Sequence, residues 1–381
     1  FWLKPLSKTI VDAEAHSLQM AQNGRKRGRE LLGVALVGLG RSGQFHLTSI
    51  RTMCHMCKLI WAIDVDEQRA QAVAEEMECK HANNIDGAVQ DPNVDIVIIA
   101  STTDTHFPFI MKSLGAKKAV FAEKPISHNV KEVEAAIELA LKNRKPFICG
   151  YQRRCDLNFM KMKQDIDDGR IGTMKMLKSC SRDNPVPPVE YLRTSGGIFQ
   201  DMLIHDFDMH DWVTGGLAPE SVTAVGHCYS PQIAEIQDLD TVGVMCKYST
   251  GLVSMIDTSR DATYGYDQRM EVFGSKGMLH VHNQPLNSVE FADGTGFRTA
   301  PALWSFPERY KGAYLYELDK FLHLVSAGPD SKEQQEEREQ MRRHPRIVRQ
   351  AIAAELSARL NRTVMLSEDV DKLAEEHLPH H

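Results

Sequence analysis

The residue types best suited to proton transfer lie in one stretch, Gly196-Gly197-Ile198-Phe199-Gln200-Asp201-Met202-Leu203-Ile204-His205-Asp206-Phe207-Asp208-Met209-His210-Asp211-Trp212. Asp201 and His205 are at i,i+4 and Asp208 follows at i+3 from the histidine, so on a helix all three fall near one face. A histidine between two carboxylates is drawn toward the imidazolium and can accept a proton near neutral pH. The same residues also fit an ordinary amphipathic helix, with Met202, Ile204, Phe207 and Trp212 buried and the acids in solvent. Asp206 and His210 share i,i+4 spacing as well, but no convincing third ligand accompanies them, and no metal site is expected. The pair Gly196-Gly197 would let the backbone enter the helix close to whatever lies opposite.

What positions such a face is legible upstream. Val34-Ala35-Leu36-Val37 is a continuous apolar run suited to a strand buried on both faces. It opens into Gly38-Leu39-Gly40-Arg41-Ser42-Gly43, a G-x-G-x-x-G leading into a helix at Gln44, and a second strand, Leu59–Ile63, ends in Asp64. Strand, glycine turn, helix, strand and a carboxylate about twenty residues on form the context a dinucleotide site requires. Backbone N–H groups at the helix start would receive the pyrophosphate, and Asp64 would accept from the adenosine ribose hydroxyls. A 2′-phosphate would meet like charge there, and the next residue is Val65 rather than an arginine, which favours NAD over NADP.

The alternation continues with a helix over Glu67–Met77, a strand over Asp95–Ala100 and then Ser101-Thr102-Thr103-Asp104-Thr105-His106, either a ligand-facing loop, a helix cap, or both. Ala119–Ala122 is a further strand, ending in Glu123-Lys124-Pro125, which aims Lys124 at the cofactor crevice and suits it to polarising an alcohol or carbonyl oxygen. Pro125 fixes the exit of the chain, with a cis bond open to it. A helix over Val130–Lys142 and a strand over Pro146–Gly150 complete a doubly wound parallel sheet of Rossmann type.

The second half reads differently. A helix over Leu157–Asp167, a strand over Thr173–Ser181 and a stiff loop at Pro185, Pro187 and Pro188, either a lid or plain surface, precede the Asp201–His205 stretch. Runs at Ser221–Tyr229, Thr241–Tyr248, Leu252–Ser259, Arg269–Phe273, Met278–Val281 and Ser288–Phe291 then form a large, mainly antiparallel sheet. Helices follow over Ala313–Val325 and Ile347–Leu360, separated by the solvated charged run Lys332–Glu339. The fold class is therefore α/β: an N-terminal extension (1–32), a dinucleotide-binding domain (33–152), an α+β domain (153–370) and a tail (371–381) in which the terminal histidines lack order.

With 381 residues, net charge −6 and 42% hydrophobic residues, the chain has length for two cores and no bias toward nucleic acid or an anionic membrane. Its eight cysteines are spread among apolar runs, and the single CxxC at Cys54–Cys57 has no second pair, which fits a reducing, cytoplasmic setting. Residues 1–30 carry Arg25-Lys26-Arg27 and Arg29 beside acids, so a mitochondrial targeting remnant stays open there.

Taken in order, these motifs resemble the glucose–fructose oxidoreductase/inositol dehydrogenase family. The likeness rests on Gly38–Gly43 with His46, Asp64, Thr102–His106, Glu123-Lys124-Pro125, Gly150-Tyr151-Gln152-Arg153-Arg154 and the Gly196–Asp208 stretch. Inositol 2-dehydrogenases are the nearest likeness, through Ser181-Arg182-Asp183, Tyr264–Arg269 and Ser305–Tyr310. The resemblance implies an NAD(P)-dependent enzyme that oxidises a secondary hydroxyl of a cyclic polyol, myo-inositol first. Another inositol isomer, an aldose or a dihydrodiol is the alternative, and a dinucleotide-binding sensor without turnover a third possibility. It implies that Lys124, Asp201 and His205 act on the hydroxyl, with Asp183, Asn184, Asp208 and Tyr266 on the remaining hydroxyls. It places Gly38, Gly40, Arg41, Ser42, Gly43, Asp64, Thr102, Thr103, His106, Glu123, Lys124, Gln152 and Arg153 at the cofactor. Gln152 and Cys155 depart from the residues usual there. It also implies homodimers or homotetramers formed through the C-terminal sheet, whose edges and outer face need cover.

Overall fold

The computed structural model describes residues 31–378; residues 1–30, with the targeting reading that falls on them, and His380 and His381 lie outside the described residues, while Leu32 of the expected extension already belongs to the first strand. Six parallel strands, β1 (Leu32–Val37), β2 (Cys57–Ile63), β3 (Lys80–Ala82), β4 (Ile96–Ile99), β5 (Ala119–Glu123) and β6 (Phe147–Gly150), form a sheet in the order β3-β2-β1-β4-β5-β6. The order reverses between β1 and β4, which opens a crevice at the carboxyl ends of the strands. β3 escaped the sequence reading because it is short and polar, Lys80-His81-Ala82, and pairs only along one edge.

Each face of this sheet is covered by helices. One cover includes a helix from the far end of the chain: Lys311–Ser326 packs Leu318, Phe321 and Leu322 against Val34, Leu36, Leu47 and Phe121. The boundary drawn at 153 thus divides the chain but not the core. A buried sheet face needs apolar cover, whatever the sequence distance of the segment that supplies it.

The second sheet is mixed, with seven strands: β7 (Met174–Arg182), β8 (Pro219–His227), β9 (Thr241–Tyr248), β10 (Val253–Ser259), β11 (Asp267–Gly274), β12 (Met278–Val281) and the short β15 (Val364–Met365). Its order is β12-β11-β7-β10-β9-β8-β15, and β7–β10 is the parallel pair among antiparallel neighbours. The run at Ser288–Phe291 does not join it. It contributes instead to a separate exposed ribbon of β13 (Glu290–Asp293) and β14 (Gly296–Thr299), whose side chains all face solvent.

Helix His344–Leu360 covers one face of the large sheet, and the Ala224 N–H donates to Ser357 Oγ at 2.9 Å. Residues 371–377 of the expected tail belong to a helix, Val370–His377, anchored by buried Val370 and Ala374. Among the described residues no helix is long and apolar enough to cross a membrane, and no disulfide forms; Cys57 is buried in β2 while Cys54 is exposed.

Candidate active site

The three glycines of the β1 turn meet three different environments. Gly38 has φ +85°, and a Cβ there would fall 2.5 Å from the Ala100 carbonyl oxygen. A Cβ at Gly43 would fall 2.0 Å from the Gly38 carbonyl oxygen, so this glycine lets the helix Arg41–Thr52 sit on the turn. Gly40 is exposed and nothing lies within 4 Å of its absent Cβ. Two glycines thus serve packing, and the third leaves open backbone where a pyrophosphate approaches. Asp64, buried at the end of β2, accepts the Leu39 N–H at 2.7 Å and so braces the same turn. Ser42 is half-buried in the helix's first turn. These features fit a dinucleotide.

Arg41 departs from a simple phosphate contact. Its guanidinium lies 4.4 Å from the Phe306 ring centroid and donates to Ser305 Oγ at 3.3 Å. The same segment receives Asn184 Nδ2 on the Trp304 carbonyl at 3.0 Å and the Tyr266 N–H on the Leu303 carbonyl at 2.8 Å. Residues 303–306 therefore tie the glycine turn to Asn184 and Tyr266, both buried.

At β4, Thr102 occupies the N-cap of helix Thr103–Gly115, but its side chain makes no cap bond and is exposed; Thr103 is half-buried. His106 sits inside rather than at the crevice. It is 1% exposed, with Nδ1 2.7 Å from the Pro125 carbonyl and Nε2 3.1 Å from the Ser101 carbonyl. It fastens the β4 loop to the cis Lys124–Pro125 bond and presents no surface to a cofactor. Glu123 accepts from His46 Nε2 at 2.8 Å. Burial opposes its ionisation, yet the His46 hydrogen bond and the nearby positive charges hold the carboxyl below its usual range.

Lys124 Nζ donates to the Asp201 backbone carbonyl at 2.7 Å and to Asp201 Oδ1 at 2.9 Å. The Tyr191 hydroxyl donates to the same Oδ1 at 2.7 Å, and Arg260 Nη1 to Oδ2 at 3.0 Å. Burial works against the carboxylate, but Lys124 and Arg260 outweigh it and keep Asp201 ionised well below the ordinary carboxylate range. Tyr191 stands on the short helix Val189–Leu192 after the proline loop, so that loop is tied to the site. Arg260 has no exposed side-chain surface and also reaches Asp238 at 3.3 Å.

Neither Tyr191 nor Arg260 is marked by a motif. Their roles arise from long-range packing, and the sole local hint for Arg260 was a charged residue at the end of a strand.

The Asp201–His205 stretch is not a regular amphipathic helix. Phe199–Leu203 forms a π-helical turn, and Ile204–Val213 continues as an α-helix buried on nearly every side. Its acids are held by internal partners. Asp206 accepts from Ser181 Oγ at 2.6 Å and pairs with Arg153 at 3.3 Å; Asp211 pairs with Arg346. His210 Nε2 lies 3.1 Å from Ser179 Oγ, so the Asp206/His210 pair points to separate partners rather than to a shared ion.

Two assignments change as a result. Asp208 has no exposed surface and both its oxygens are held by Arg154, with Nε at 2.8 Å, so it is closed to a substrate hydroxyl. Arg153, buried and bonded to Ser181 Oγ at 2.9 Å, links β6 to β7 and is turned to protein rather than cofactor. Gln152 is buried in the 3₁₀ turn Gln152–Cys155, and Cys155 at its end is buried too.

His205 is the third change. Burial first, then the charges of Lys124 and Arg153, push its imidazole well below the usual histidine range, and the pull of Asp201 in the other direction is weaker. The ring is therefore neutral at pH 7, packed at 5.9 Å edge-to-face on Tyr151, with Nδ1 buried and unpartnered. Asp183, half-buried nearby, behaves oppositely: burial and then the Asp201 charge, opposed by Arg153, push its carboxyl up to about 6.

Comparison with known proteins agrees with this arrangement. Residues 32–151 match the profile described as oxidoreductase family, NAD-binding Rossmann fold, and residues 159–280 match the GFO/IDH/MocA C-terminal domain. The chain is 38% identical to myo-inositol 2-dehydrogenase of Thermotoga maritima over 77% of this chain and 88% of that one. The solved myo-inositol dehydrogenase of Corynebacterium glutamicum superposes with TM-score 0.81 at 31% identity, covering 89% of this chain and 100% of that one. A scyllo-inositol dehydrogenase of Lactobacillus casei, solved with NAD(H) and scyllo-inositol, superposes with TM-score 0.80 at 28% identity over 89% and 100%. With its glycine turn, Asp64 and the Lys124–Asp201 pair set between a parallel and a mixed sheet, this chain belongs to the GFO/IDH/MocA family of NAD-binding oxidoreductases.

Proposed function

We propose that the chain is an NAD-dependent dehydrogenase of cyclic polyols, with myo-inositol as its leading substrate. The observation that carries this reading is Lys124, bound at once to the carbonyl and the carboxylate of Asp201 and backed by the neutral, buried His205. When bound at the glycine turn, NAD would supply the hydride acceptor for the alcohol carbon. Lys124 holds the reacting oxygen and stabilises negative charge as it develops, and His205, already in its base form, takes the hydroxyl proton. Asp201 fixes the ammonium in place. Asp183, Asn184 and Tyr266 border the same region and are suited to the other hydroxyls. The substrates named for the relatives, myo- and scyllo-inositol, support the class. We further read the outer face of the large sheet as the surface through which copies associate.

The test is reduction of NAD or NADP followed by absorbance with myo-inositol, scyllo-inositol, glucose and a dihydrodiol. Turnover of NAD with myo-inositol is expected. Turnover with scyllo-inositol alone would reassign the isomer, and turnover with glucose or the dihydrodiol alone would move the substrate outside the inositols. Silence across the panel with NADH still bound would favour the sensor. His205→Ala should lower kcat by about 10²–10⁴; a loss under tenfold would remove that residue from the reaction.

A further inference from the structure

The acceptor sites of Asp64 are filled by the protein itself. Oδ2 takes the Leu39 N–H at 2.7 Å and Oδ1 the Asp66 N–H at 2.9 Å. Nη1 of Arg69 lies 3.4 Å from Oδ2 and 3.5 Å from Oδ1. A carboxylate offers roughly four lone-pair sites. While Arg69 stays, none is left for two ribose hydroxyls. Arg69 is nonetheless poised to leave. Its side chain is 46% exposed, its bonds to Asp64 are at the long limit, and its Nη2 is at the same time paired with Asp66 Oδ2 at 3.2 Å, a partner it can keep on leaving Asp64. It projects from the first turn of the helix Glu67–Met77, next to the exposed Val65, at the end of β2 where the adenosine ribose of a bound dinucleotide would lie.

We propose that Arg69 is a second determinant of cofactor selectivity. When ribose hydroxyls take Asp64, the guanidinium moves off the carboxylate and comes to rest at the 2′ position. A 2′-hydroxyl gains little from it, whereas a 2′-phosphate gains a planar, bidentate-capable cation. Asp64 and Asp66 keep NAD preferred, and Arg69 narrows the margin over NADP. Judging selectivity from Val65 alone overlooks this residue, because it lies one helical turn further along the chain.

This inference rests on dinucleotide binding and not on the polyol, so it is tested by binding. Dissociation constants for NADH and NADPH, read by nicotinamide fluorescence, are compared in the wild-type chain, Arg69→Ala, Asp64→Ser and the double variant. Arg69→Ala should weaken NADPH about tenfold, the scale of a charge-assisted bond, and NADH by less than about twofold. Asp64→Ser should strengthen NADPH only while Arg69 is present. Equal effects on both cofactors in Arg69→Ala, or a gain from Asp64→Ser that survives in the double variant, would overturn the proposal. Failure of the wild-type chain to bind NADH would overturn the cofactor reading as well. NADH binding without polyol turnover would count only against the substrate.

Discussion

Two titratable side chains near Lys124 are pushed in opposite directions, and this sets the expected pH dependence. His205 is neutral in the neutral range because burial and the charges of Lys124 and Arg153 depress its pKa, so its protonation does not set the acid limb. Asp183, raised to about 6, is protonated as the pH falls through that value and then loses its capacity to accept from a substrate hydroxyl. The acid limb of kcat/KM for the polyol should therefore lie near pH 6 and belong to Asp183. Asp183→Asn should lower the plateau and abolish that limb; a limb that persists unchanged would return the titration to His205. Arg260 supplies a second prediction. It is a fully buried cation shared by Asp201 and Asp238, and its loss leaves both carboxylates short of a partner. Arg260→Met should lower the unfolding free energy by about 3–5 kcal/mol in denaturant titrations, with partial recovery in Arg260→Lys.

At the scale of elements, the site depends on how the chain enters the π-helical turn. Gly196 has φ +83°, and a Cβ there would stand 2.3 Å from His128 Cε1; Gly197 has φ +72°, with Asp238 Oδ1 3.0 Å from its virtual Cβ. The two glycines allow the close approach that their sequence suggests, and the groups opposite are His128 and Asp238. The Ile198 N–H then donates to Asp238 Oδ1 at 3.0 Å, so the aspartate that holds Arg260 also holds the start of the turn. Gly196→Ala should cost about 1–3 kcal/mol of stability and reduce kcat as well, because displacement of the turn carries Asp201 off Lys124. A variant with an unchanged melting temperature and normal turnover would mean that His128 yields without moving the turn.

At the scale of the molecule, the large sheet has one face covered and one face bare among the described residues. On the bare face Met245 lies opposite Met255, and Phe273 opposite Met278, all exposed, with Val225 exposed nearby. Such exposed apolar pairs, interspersed with the ion pairs Lys178–Glu271 and Arg182–Asp257, are the side chains that the association proposed above would cover. Paired substitution of Met245 and Met255 by Lys should shift the sedimentation coefficient to that of a smaller species and leave NADH affinity within about twofold, since neither residue borders the glycine turn. A wild-type chain that sediments as a monomer at micromolar concentration would remove this surface from consideration.

Features governed by short-range rules were legible in the sequence. The glycine turn, the strand-to-Asp64 spacing, the buried parallel strands, the helices Glu67–Met77 and Leu157–Asp167, the i,i+4 spacing of Asp201 and His205 and the position of Lys124 at a strand end all follow from backbone sterics, hydrophobic period and turn chemistry. Features that depend on which distant group arrives opposite were not. The sequence placed His205 between carboxylates and implied an imidazolium, but burial and two cations reverse that. It offered Asp208 and Arg153 to ligands, whereas Arg154 and Asp206 claim them. It gave no sign of Tyr191 or Arg260 on Asp201, or of Arg69 over Asp64. Local sequence determines what a side chain is able to do, because its chemistry and backbone setting travel with it. Its charge state and partner are decided only in the tertiary structure, because desolvation and Coulomb interactions depend on distance in space, not separation along the chain.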